Sequence, residues 1–119
     1  MEVIKISKEI ESRIEGLKSL RGRIKHFSET RAKSMSEYEK QLAITIIKLK
    51  NGEVMELEGN KIEAPPATVM EKIAKGMCYK AKLDMETAEA LYKGLIVSIN
   101  AVEAELNGFQ SIFRHLSET

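Results

Sequence analysis

Apolar residues recur at every third or fourth position through the first half of the chain. Their average spacing is about 3.6 residues, which is the period of an α-helix. Asn51-Gly52 follows the series and is typical of a helix C-terminus. The pattern predicts one long amphipathic helix over residues 7–50. The positions that carry it are Ile6, Ile10, Ile14, Leu17, Leu20, Ile24, Phe27, Arg31, Met35, Tyr38, Leu42, Ile46 and Leu49.

The end of this helix has a second interpretation. Residues 45–50 are rich in β-branched side chains, and Asn51-Gly52 followed by residues 53–57 is also typical of a β-hairpin. The helix is favoured because its period continues without interruption through Leu42 and Leu49. Residues 51–66 then form an irregular or short β connector.

A second long helix is predicted over residues 68–116. Pro65-Pro66 ends the connector, and Thr68 with Glu71 fits a capping box. The larger residues recur about every 3.5 positions, close to a coiled-coil repeat. Leu83-Asp84 interrupts the series, so a kink there is an alternative to one continuous helix. The series consists of Met70, Ile73, Met77, Ala81, Asp84, Ala88, Leu91, Leu95, Ile99, Val102, Leu106, Phe109, Phe113 and Leu116.

A separate series of small residues runs along the same helix at heptad spacing. Its members are Ala90, Gly94, Val97, Ala101, Ala104 and Gly108. Alanine is a good helix former and needs no further explanation, but each glycine costs about 1 kcal/mol in a helix interior. Gly94 and Gly108 therefore indicate close contact with a further helix. Because the chain offers only one other long helix, we expect a homo-oligomer with this series at its interface.

The expected fold is all-α and consists of one domain, residues 1–119. Two long antiparallel amphipathic helices would form a coiled-coil-like helical hairpin that assembles into an oligomeric bundle. Folding about residue 58 or 59 sets residue i opposite roughly residue 117 − i. To within a turn, this register places Arg31 beside Glu86 and Arg13 beside Glu103. Arg31 would then meet a carboxylate rather than leave a wet gap among the apolar residues.

Charge is distributed unevenly. Residues 1–50 carry 12 Lys and Arg against 7 acids, although the net charge of the whole chain is only +1. A basic cluster within the predicted first helix could bind the phosphates of nucleic acid or of a nucleotide, or could be an ordinary solvated or neutralised face. The cluster consists of Lys18, Arg21, Arg23, Lys25, Arg31 and Lys33.

Catalytic and metal-binding patterns are missing from the sequence. His26, His115 and Cys78 are scattered, and the seven glycines form no phosphate-binding loop. We therefore expect no enzyme activity, no metal and no cofactor, and we expect Cys78 to be a small buried residue. The longest uncharged stretch, residues 94–102, is far shorter than a membrane span, and the N-terminus lacks signal-peptide features. These patterns predict a soluble, cytoplasmic protein.

Five stretches of the chain resemble small helical proteins encoded by bacteriophages and prophages of Gram-positive bacteria. They are YEKQLA (38–43), KLKNG (48–52), PATVMEKIAKG (66–76), AEALYK (88–93) and AELNGFQS (104–111). The resemblance implies an accessory protein made in the host cytoplasm that serves phage replication or recombination, or that antagonises host defence. It supplies no catalytic residues.

Together these features lead to two hypotheses of function. The first is a non-catalytic, oligomeric, phage-type accessory protein that binds and blocks or scaffolds another macromolecule from host or phage. The alternative is an anion-binding module that uses the basic cluster to bind single-stranded nucleic acid or to sequester a nucleotide signal.

Overall fold

The structure, a computed structural model, describes residues 2–118, and 82% of it is helical. The predicted all-α class is therefore confirmed, with one small two-stranded sheet added. The elements in chain order are α1 (Val3–Arg21), α2 (Ile24–Lys50), β1 (Met55–Leu57), β2 (Asn60–Ile62), α3 (Ala67–Met77) and α4 (Tyr79–Ser117).

The predicted first helix, residues 7–50, is two helices in the structure. α1 begins four residues earlier than predicted, at Val3, and ends at Arg21. At the break the N–H of Arg23 donates to the carbonyl of Leu20 at 3.1 Å, a tighter three-residue step than in an α-helix. Gly22 lies at this point, where its low helix propensity makes an interruption inexpensive.

α2 continues to Lys50, as the helical interpretation of residues 45–50 predicts. Gly52 has a φ of 78°. Its N–H donates to the carbonyl of Leu49 at 3.2 Å, and the N–H of Glu53 donates to that of Lys48 at 3.1 Å. These two bonds form a Schellman motif. Asn51-Gly52 is therefore a helix terminator and not the turn of a hairpin.

A short hairpin does exist, but its turn lies seven residues further along the chain. β1 pairs with β2 in antiparallel register, with Met55 opposite Ile62. The turn residues Glu58 and Gly59 both have positive φ, 50° and 78°, as a type I′ turn requires. Leu57 lies 3.7 Å from the position that a Cβ on Gly76 would take, so the hairpin lies against α3.

The predicted second helix, residues 68–116, is also interrupted, but not at residues 83–84. α3 ends at Met77, and Cys78 with φ −93° and ψ 22° separates it from α4. α4 then continues through Leu83 and Asp84 without a break. Cys78 is buried, as predicted, and its Sγ lies 3.4 Å from Oγ1 of Thr45.

The described residues form two compact units. The first unit comprises residues 2–28 and 90–118, and the second comprises residues 29–89. In the first, Leu17, Leu95 and Ile99 form a buried cluster. In the second, the buried cluster consists of Tyr38, Cys78 and Ala81.

Ion pairs show that the helices pack antiparallel within each unit. In the first unit Arg13 binds Glu105 at 2.7 Å. In the second unit Arg31 binds Glu89 at 3.4 Å, while Thr45 reaches back to Cys78. Both arginines therefore meet a carboxylate within one turn of the expected residue, which confirms the predicted register inside each unit.

The side of α4 that packs against the rest of the chain differs from the predicted series at two positions. Met85 packs on the second cluster, and Tyr92 is half-buried, whereas Asp84 and Leu91 are exposed. With Met85 and Tyr92 included, the packed positions from Ala81 to Phe113 follow an uninterrupted four-three heptad repeat. The heptad therefore leaves Leu91 outside the core, 57% exposed.

Candidate interaction surface on α4

The small-residue series lies together on one side of α4 and is exposed along its whole length. We call it the α4 face, and all of it belongs to the first unit. Its positions are opposite Leu95 and Ile99, which point into the core. Val97 is 66% exposed, and the other members are also exposed. The face comprises Ala90, Gly94, Val97, Ala101, Ala104 and Gly108.

No member of the α4 face carries a charge, and Glu105, the acid beside it, is engaged with α1. Glu105 accepts a hydrogen bond from Arg13 at 2.7 Å, and Glu103, which lies nearer the core side of α4, accepts one from Arg21 at 2.8 Å. The ion pair of Glu105 holds a carboxylate at the border of the face. The face itself is an apolar strip on a protein in which 31% of residues are charged.

Neither glycine of the α4 face is explained by packing within the chain. A Cβ built on Gly94 or on Gly108 would meet no atom within 4 Å. The same is true of Gly16 in the interior of α1. The close contact that the sequence predicted for Gly94 and Gly108 therefore does not occur inside a single copy.

A shallow apolar recess adjoins the α4 face at Gly108. The α4 residues around it have the i, i+3, i+4, i+7 spacing of the hole that receives a side chain in coiled-coil packing. Ile112 at its edge is 44% exposed. The residues that line the recess are Arg13, Glu105, Gly108, Phe109 and Ile112.

Arg13 fixes one wall of this recess. Its guanidinium binds both Glu9 and Glu105 and lies 5.2 Å from the centre of the Phe109 ring. The hydrogen bond to Glu105, with the charges of both carboxylates, raises the pKa of Arg13 above its ordinary value. Arg13 therefore stays charged, and it holds Phe109 through a cation–π contact.

The structure divides the predicted basic cluster between the two units. Lys18, Arg21, Arg23 and Lys25 belong to the first unit, and Arg31 and Lys33 belong to the second. Arg21 and Arg31 are paired with acids of α4. Within the described residues, the remaining four cations form no ion pair, and all four are exposed.

In the first unit, the groove beside the basic residues is amphipathic. Lys18 and Arg21 line it together with Ile14, Leu17 and Leu106. In the second unit, Lys33 lines a different groove with Lys80, Glu37 and Asp84, so cations and acids alternate there. The surroundings of the cluster residues therefore differ between the two units.

Residues 2–118 contain no group of three or more His, Cys, Asp or Glu side chains that could hold a metal ion. Within the same part of the chain, none of the helices is both long enough and apolar enough to cross a membrane.

Comparison of the chain with protein-family models, with curated proteins and with solved structures gives no match.

Sequence reasoning placed Leu91 in the core and did not find the recess around Gly108. The signal was present in the chain, since a strict heptad through Met85 and Tyr92 leaves Leu91 on the outside. The recess depends on the position of Arg13 relative to Phe109. That position follows from the register of two helices and not from local pattern.

Proposed function

We propose that this chain is a non-catalytic accessory protein that associates with copies of itself through the α4 face and binds and blocks or scaffolds another macromolecule. The observation that carries the proposal is the exposed, uncharged face of α4 between Ala90 and Gly108. The predicted interface residues lie on that face together. Five of the six are Ala or Gly, so two backbones could approach closely there.

The extent of the apolar surface supports a binding role. From Ala90 to Ile112, α4 is about 33 Å long, and a strip about 10 Å wide has an area of about 330 Å². An area of this size lies within the range of the largest apolar patch on a typical monomeric protein, about 300–600 Å², and such patches are often functional. Burying two such strips would contribute about 16 kcal/mol before the cost of association.

The cost of association limits the strength of the complex. Lost translational and rotational freedom costs about 4–15 kcal/mol. The total buried area, about 700 Å², is also below the roughly 1,200 Å² of stable interfaces. We therefore expect weak association through this face alone. A Kd of about 10 μM to 1 mM corresponds to about 4–7 kcal/mol, which lies within the difference between the burial and association terms.

The resemblance of residues 38–116 to small phage and prophage proteins supports an accessory role. Such a role would serve replication or recombination, or would antagonise host defence. The blocked or scaffolded macromolecule would then bind a surface of the assembled copies.

Sedimentation velocity of the full chain tests self-association. We expect the mass to rise from 13.4 kDa toward twice that value as the concentration increases from about 5 μM to about 1 mM, the range that the weak Kd requires. A mass that stays at 13.4 kDa up to the highest concentration contradicts the proposal.

A second candidate function, binding of a nucleic acid or nucleotide phosphate, is favoured by one observation. Lys18, Arg23 and Lys25 are exposed close to the α1–α2 break, and they form no ion pair within residues 2–118. With three such contacts, the logarithm of the affinity for single strands would fall with the logarithm of the salt concentration with a slope of about −2.

Fluorescence anisotropy with a labelled single-stranded oligonucleotide tests this candidate. Replacing Lys18, Arg23 and Lys25 by Glu should abolish binding at about 50 mM salt. Replacing Lys40, Lys72 and Lys82, which are exposed cations of the second unit, makes the same charge change and should preserve most of the binding. Absence of binding by the unmodified chain removes the candidate.

A further inference from the structure

The spacing of the α4 face is the same in both chain directions. Its members are separated by four, three, four, three and four residues, so a two-fold axis level with Ile99 superposes the series on itself. That reversal places Ala90 opposite Gly108, Gly94 opposite Ala104, and Val97 opposite Ala101.

Side-chain volumes favour this reversed pairing. Each pair joins a larger residue to a smaller one, so the distance between the helices stays nearly constant along the contact. With both helices in the same direction, Val97 would face Val97, and each glycine would face a glycine. One protrusion and two gaps would result, and gaps forfeit packing contacts.

The recess at Gly108 and the exposed side chain of Leu91 provide a second, independent indication. On the helix, Leu91 lies on the same edge of the α4 face as Glu105 and Phe109. A two-fold axis perpendicular to the helices keeps that edge on the same side. Measured along the helix axis, Leu91 of one copy then lies within about 3 Å of the recess of the other copy. Parallel helices would place it about 26 Å away.

We infer that the α4 face binds a second copy of this chain whose α4 is antiparallel, with the two-fold axis level with Ile99 and with Leu91 of each copy in the Gly108 recess of the other. This inference rests on the proposed self-association. It adds the direction, the register and the anchoring side chain.

Cross-linking of variants with one added cysteine tests the direction and register. The variants are Gly94→Cys and Ala104→Cys, one of them isotope-labelled so that mass spectrometry distinguishes mixed from identical pairs. A disulfide requires Cα atoms about 4.4–6.8 Å apart. In the inferred arrangement residue 94 faces residue 104, whereas identical positions are about 15 Å apart along the axis.

We expect mixed disulfides when the two variants are oxidised together near 1 mM and few cross-links when either is oxidised alone. The unmodified chain, whose single thiol at Cys78 is buried, is the control for unrelated oxidation. Cross-linking of identical variants at least as strong as that of the mixture would show parallel helices and overturn the inference.

The sedimentation measurement on the unmodified chain keeps the two proposals distinguishable. A doubled mass without mixed disulfides would overturn the antiparallel register and leave self-association standing. A constant mass of 13.4 kDa without cross-links would overturn both.

Discussion

Replacing Gly94 and Gly108 by Leu separates an exposed helix face from an interface. In an isolated copy both side chains would extend into open space, because no atom lies within 4 Å of either Cβ position. Leu is a better helix former than Gly by about 0.8 kcal/mol, so the two changes together should stabilise the folded monomer by about 1.6 kcal/mol. The melting temperature of the dilute protein should rise by about 5–10 °C.

The same substitutions should weaken association. Each Leu at a closely packed contact costs about 1–3 kcal/mol through overpacking. A symmetric pair of copies contains four added side chains. A loss of about 4 kcal/mol raises a Kd of about 100 μM beyond the measurable range. Light scattering near 1 mM should therefore report a monomer.

Gly16→Leu provides the matched control. Gly16 also has open space at its Cβ position, but it lies in α1, away from the α4 face. Its replacement should raise the melting temperature by a similar amount per site and leave the concentration-dependent mass unchanged. If the double variant associates as strongly as the unmodified chain, the α4 face is not the interface, and the reasoning is refuted.

Two further predictions concern single side chains. Leu91→Ala should raise the Kd of self-association at least tenfold, since two apolar anchors are lost from each pair of copies. Ile47→Ala, at an equally exposed α2 position outside the α4 face, should leave the Kd unchanged in sedimentation velocity. Equal effects of the two substitutions would argue against the recess as the binding site of Leu91. Gly52→Ala should lower the free energy of unfolding by about 1–2 kcal/mol in urea denaturation, because alanine is strained at a φ of 78°. The control, Gly16→Ala, should raise the free energy of unfolding by about 1 kcal/mol. No destabilisation by Gly52→Ala would contradict the observed helix terminus.

Helix type and pairing register could be predicted from the sequence because both follow from periodic apolar positions and complementary charges. Arg31 and Arg13 each find a carboxylate of α4 within a turn of the expected position. The interruptions could not be placed in the same way. Gly22 and Cys78 lie inside continuous periodic patterns, and only local backbone hydrogen bonding ends the helices there.

The hairpin shows why a local motif can mislead. Asn51-Gly52 and Glu58-Gly59 both allow positive φ. Asn51-Gly52 is the stronger turn sequence, but it ends α2 because the helix continues through Leu49, whose side chain is buried. The weaker Glu58-Gly59 pair then makes the turn of the hairpin. Burial of Leu49 by tertiary packing determines this outcome, and that burial cannot be predicted from the turn residues.

The residues of the α4 face could be selected from the sequence, but the exposure of Leu91 beside them could not. The small residues of the α4 face were identified from their spacing and from the cost of glycine in a helix. Leu91 was assigned to the core because an average period of 3.5 residues fits both Leu91 and Tyr92 over short stretches. The heptad repeat through Met85 includes Tyr92 in the core and leaves Leu91 outside it.

The most direct test of the α4 face is a concentration series of two-dimensional amide NMR spectra of the unmodified chain. Between about 20 μM and 1 mM, a range that includes the expected Kd, amide shifts should change at Gly94, Val97, Ala101 and Gly108. Exposed amides of α2 near Ile47 should stay constant. Constant shifts along α4, or changes that centre on α2, would contradict the account.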